Sequence, residues 1–145
     1  MDATLTAYSE IFMICFLVAT LIVVYGTIRC RMPKFYDPLT YSLLPAPWDR
    51  FFDGWGISHF GFYFMLAYLY PKHWFFITCL GVAWEALEMV FKEHPFYLSR
   101  CSYDTDQPSG ASKAGTKPGW WYGRWQDIVM NSAGVALGVY LSRRR

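Results

Sequence analysis

The chain alternates long apolar runs with short polar punctuation. Four of these runs predict helices: residues 11–28, 55–70, 74–91 and 127–141. The first is apolar on all sides, is rich in Ile, Val and Leu, and is stopped by Arg29, Arg31 and Lys34. Pro33, Pro38, Pro45 and Pro47 then forbid a long helix, because proline lacks the amide proton that the helix needs. Gly54 and Gly56 open the second run, and Pro71-Lys72 makes a tight turn into the third. From Glu93 to Arg124 the chain is polar and rich in Gly, Pro and Ser, which reads as a long flexible loop ahead of the fourth run.

The third run, Trp74 to Phe91, would span roughly 27 Å as a helix, close to the ~30 Å hydrocarbon core of a bilayer. It carries Glu85 and Glu88 in its second half. Thr78, Gly81, Glu85 and Glu88 share one stripe, which has to meet protein, water or a cation rather than lipid. Two carboxylates one turn apart repel, so one is neutral or a positive partner stands between them.

Composition supports a membrane setting. Of 145 residues, 54% are hydrophobic and 21% aromatic, against 17% charged. Trp and Tyr gather at the ends of apolar runs, as at membrane interfaces, and Trp120, Trp121, Tyr122 and Trp125 read as an interfacial belt. The expected fold is therefore an all-α membrane protein, a single four-span transmembrane helical bundle with its long polar loop between spans 3 and 4. The net charge of +2 and the absence of a basic aromatic-interleaved run argue against nucleic acid. Cys15, Cys30, Cys79 and Cys101 lie far apart with no C-x-x-C pair, which argues against zinc and a disulfide framework. The first run reads as a retained signal anchor. Nine Lys and Arg residues flank the long-loop side against four on the other, which puts the loops in the cytosol by the positive-inside rule.

With alternating spans, His59, Glu85, Glu88, Asp127 and Asn131 come to one depth, roughly 5–10 Å in from the same face. Asp127, Asn131, Gly134 and Gly138 form one stripe whose glycines allow close helix approach. A histidine beside a carboxylate suits acid–base work, and carboxylates with Asn suit a hard cation. That depth matches a phospholipid headgroup. Simpler readings stand beside these: Asp127 as a helix N-cap, Asn131 as interhelical glue, and the glutamates paired with a partner subunit in a homo-oligomer or larger membrane complex.

Ser58-His59-Phe60, Trp84-Glu85-Ala86-Leu87-Glu88, Cys101-Ser102-Tyr103-Asp104 and the run from Asp127 through Asn131 to Gly138 resemble the core of the eukaryotic base-exchange phosphatidylserine synthases. The resemblance covers residues ~50–140 of the chain. It implies a Ca²⁺-dependent transferase of the endoplasmic reticulum or another endomembrane that swaps choline or ethanolamine for serine. His59, Glu85 and Asp127 would be catalytic, Asn131 and Trp84 would bind substrate, and Glu88 and Asp104 would hold the metal. Tyr97 and Arg100 stand where that family has Asn and Glu. The D-x-x-x-N-x-x-G-x-x-x-G part alone also resembles VanZ-type membrane proteins, so a non-catalytic four-helix protein is the alternative expectation.

Overall fold

A computed structural model describes residues 3–31, 38–49, 51–93, 121 and 123–144. The described chain is helical: α1 (Ala3–Arg31), α2 (Gly54–Leu69), α3 (Trp74–Glu93) and α4 (Trp125–Ser142), with 3₁₀ turns at Pro38–Thr40 and Pro71–His73. α1 begins eight residues before the expected start at Ile11. The hydroxyl residues in that stretch keep their polar groups on the helix itself, as Ser9 does by donating to the Thr6 carbonyl at 2.8 Å.

Local chemistry accounts for the ends of α2. Asp53 caps it, its Oδ1 accepting from the Gly56 amide at 2.7 Å. Gly56 is required at that turn, because a Cβ would stand 2.4 Å from the Phe51 carbonyl oxygen. Tyr70, held out of the helical region before Pro71, ends the helix, and the 3₁₀ turn leads straight into α3.

Ring contacts define the helix directions. Tyr8, near the start of α1, meets His73 and Phe76 at the start of α3, and Tyr25 near its end meets Trp55 at the start of α2. α1 and α3 therefore run one way, and α2 and α4 the other. α2 and α4 pack most closely. Gly134 and Gly138 press against the α2 backbone, where a Cβ would lie 2.4 Å from the Phe60 carbonyl oxygen and 2.5 Å from that of Phe64. The core between helices holds Ile11, Tyr63, Leu66, Ala67, Ile77 and Val135.

Outward faces are strongly apolar: Phe12, Phe16, Leu17, Phe75 and Val82 are all exposed. α1 and the Pro71–Phe91 stretch are long and apolar enough to cross a membrane. α2, at 16 residues, would span roughly 24 Å.

Two expectations are corrected. Trp121 is 2% exposed and packs with Trp84 and Phe91, so it belongs to the core and not to an interfacial belt; Trp125, at 62% exposed, does face outward. Cys30 is disulfide-bonded, whereas Cys15 and Cys79 are free thiols.

Candidate functional site

At the end where α2 and α4 begin and α3 finishes, three helices deliver polar side chains to one buried point. α2 brings His59 on its second turn, α3 brings Glu85, and α4 brings Asp127 and Asn131. Glu85 is completely buried, and Asp127 and Asn131 are 3% and 4% exposed. The positions follow from helix geometry. Ile77, Gly81 and Glu85 recur every four residues along the inner face of α3, and Asp127, Asn131, Gly134 and Gly138 line that of α4. Gly81 leaves room where a Cβ would meet the Tyr63 ring at 3.1 Å and the Asn131 side chain at 3.3 Å.

His59 Nδ1 lies 2.9 Å from Asn131 Oδ1 and 3.5 Å from Glu85 Oε1. An amide oxygen can only accept, so Nδ1 donates in this contact. Arg124 closes the cluster from the α4 entrance. Its backbone N–H donates to Glu85 Oε2 at 3.2 Å, one guanidinium nitrogen donates to Asp53 Oδ2 at 2.9 Å, and Nε lies 3.2 Å from Asp127 Oδ2. The approach of that segment depends on Gly123, where a Cβ would stand 2.6 Å from the Glu85 carbonyl oxygen.

The cluster is incompletely satisfied. Among the described residues, Glu85 Oε1, Asp127 Oδ1 and Asn131 Nδ2 are buried without a hydrogen-bond partner. An orphaned polar atom of this kind costs about 1–3 kcal/mol, so three at one point mark a place built for something further.

The expected site residues divide. His59, Glu85, Asp127 and Asn131 come together. Trp84 does not point into the cluster: its ring packs on Trp121, with centroids 6.3 Å apart. Glu88, one turn beyond Glu85, is outside the His59–Glu85–Asp127 group that has metal-ligand spacing. Asp104, Tyr97 and Arg100 lie outside the described residues. Asp127 is not the N-cap of α4; Arg124 holds that position, and Asp127 sits in the first turn. Sequence reasoning missed Arg124 and Asp53. The signal for Arg124 was its spacing of three from Asp127, which puts the two on one face of an entering helix.

No protein-family model, curated protein or solved structure matches this chain.

Proposed function

We propose that the protein is a multi-pass membrane enzyme that exchanges phospholipid headgroups, with His59 as its proton-handling group. The observation that carries this is the imidazole held between Asn131 and Glu85 by three separate helices, a turn or two in from the end of an apolar bundle. At ~1.5 Å per residue, His59 sits roughly 8 Å from the start of α2, the depth of a lipid's phosphate when the bundle spans a bilayer.

In this reading a serine hydroxyl attacks the phosphorus of phosphatidylcholine or phosphatidylethanolamine. His59 takes the hydroxyl proton as the new O–P bond forms, and returns it to the departing choline or ethanolamine oxygen. Asn131 fixes the ring, and Glu85 stabilises the imidazolium formed in between. Asp127, held by Arg124, adds to the negative field that favours that cation.

The resemblance to phosphatidylserine synthases implies Ca²⁺ on Glu88 and Asp104. Ca²⁺ takes six to eight oxygens. The described donors do not fit it: Glu88 lies outside the converging set, and that set contains an imidazole.

The Cys30 disulfide supports placing the site end in an oxidising compartment, such as the lumen of an endomembrane, against the count of basic residues. The test is the purified protein in phosphatidylcholine or phosphatidylethanolamine liposomes with labelled serine. Label should enter lipid, and His59→Ala should abolish this. No incorporation, or undiminished incorporation by His59→Ala, overturns the proposal in favour of a non-catalytic bundle.

A further inference from the structure

We infer that His59, Glu85 and Asp127 form a binding site for a divalent first-row transition cation of the Zn²⁺ or Mn²⁺ class. The inference goes beyond the lipid reading and does not depend on it.

One imidazole nitrogen and one oxygen from each carboxylate lie within 4.8 Å of one another. A cation bonded to all three at ~2.1 Å needs its ligand atoms about 3–4 Å apart, so side-chain movements of about an ångström complete the set. Both carboxylates are already presented for this. Arg124 engages one oxygen of each, Glu85 Oε2 and Asp127 Oδ2, and leaves Glu85 Oε1 and Asp127 Oδ1 buried without a hydrogen bond among the described residues. Outer contacts that hold a ligand's second atom and aim its first are the usual support of a metal centre. Asp53 in turn anchors Arg124, and is itself fixed by the Gly56 amide.

Charge points the same way. The Arg124 guanidinium is divided between Asp53 and Asp127, and Glu85 meets the Arg124 backbone amide, so two buried carboxylates, Glu85 and Asp127, converge on one point. A divalent cation neutralises both. The donor chemistry selects the class, since imidazole suits Zn²⁺, Fe²⁺ and their neighbours, whereas Ca²⁺ and Mg²⁺ prefer all-oxygen sets. Three protein ligands leave positions open for water or an oxygen-bearing ligand.

The experiment uses the full chain, purified in detergent and stripped with chelator. Equilibrium dialysis should return one Zn²⁺ or Mn²⁺ per chain, with a melting temperature raised by several degrees at saturation and unchanged by equimolar Ca²⁺. Glu85→Gln and His59→Gln should each weaken binding at least tenfold. Both are close in shape to the native residues, and helicity by circular dichroism confirms that each is folded. Co²⁺ supplies a second readout on the native protein. Its near-ultraviolet spectrum should lack the thiolate charge-transfer band that binding at Cys15 or Cys79 would produce. Absence of stoichiometric Zn²⁺ or Mn²⁺, affinity unaltered in folded Glu85→Gln, a thiolate-type Co²⁺ spectrum, or tighter binding of Ca²⁺ overturns the inference. Binding is read without lipid. A protein that binds the cation and exchanges no headgroup keeps this inference and loses the lipid reading; one that exchanges headgroups in chelator, with no bound cation, does the reverse.

Discussion

Glu10 and Glu85 are carboxylates on the two longest apolar helices, and the molecule treats them in opposite ways. Glu10, at the far end, is exposed and accepts a hydrogen bond from the Tyr70 hydroxyl at 2.9 Å. Water can solvate whatever that bond leaves over, so little depends on it. Glu85 is fully buried, and each of its oxygens must be provided for by protein. One is held by the Arg124 amide, while the other faces a histidine and has no hydrogen bond. The far end tolerates a charge. The site end has been shaped around one.

The contrast can be broken most sharply at Arg124. Arg124→Ala leaves Asp53 and Asp127 buried beside Glu85 without their guanidinium, and should destabilise the fold by about 3 kcal/mol, since removing one partner of a buried pair strands the other. Chemical denaturation in detergent measures this, and a loss below 1 kcal/mol would show that the carboxylates find other partners. Gly134→Val comes next. Its Cβ would meet the Phe60 carbonyl 2.4 Å away, prising α2 from α4 and drawing His59 off Asn131, at about 1–3 kcal/mol. The same denaturation series reads it, and headgroup exchange should fall with it.

Glu85→Gln should move the other way in chelator. It removes a buried charge while keeping a group that can accept from Arg124, so the melting temperature should hold or rise while exchange activity is lost. A large drop in melting temperature would mean that the charge itself supports the fold. The smallest effect belongs to the far end: Tyr70→Phe should change stability by no more than about 0.5 kcal/mol, within the range of an exposed pair. If Tyr70→Phe and Arg124→Ala proved equal, the two ends would not differ as their burial implies.

Much of the architecture is written in short-range chemistry. The apolar runs, the Pro71 turn and the Gly-x-x-x-Gly face of α4 can each be read within a few residues, because helix periodicity, proline's missing donor and the absence of a Cβ act locally. The same periodicity put His59, Glu85, Asp127 and Asn131 at one level, as helices of known rise and alternating direction require. It also required that one of the paired glutamates of α3 be neutral or that a positive partner stand between them, without saying which group would meet them.

Only the packed chain decided that. Arg124 and Asp53 are 71 residues apart in sequence, and their contact depends on a close approach at Gly123 that no local pattern announces. Trp121 has the composition of a membrane-interface residue, yet it is buried because Trp84 and Phe91 offer it a face. Glu85 and Glu88 lie one turn apart on the same helix, but only Glu85 meets the histidine. The helices and their level followed from residue order. Which polar atoms met, and which were left without a partner, depended on how three helices rotated against one another, and that is set by long-range packing.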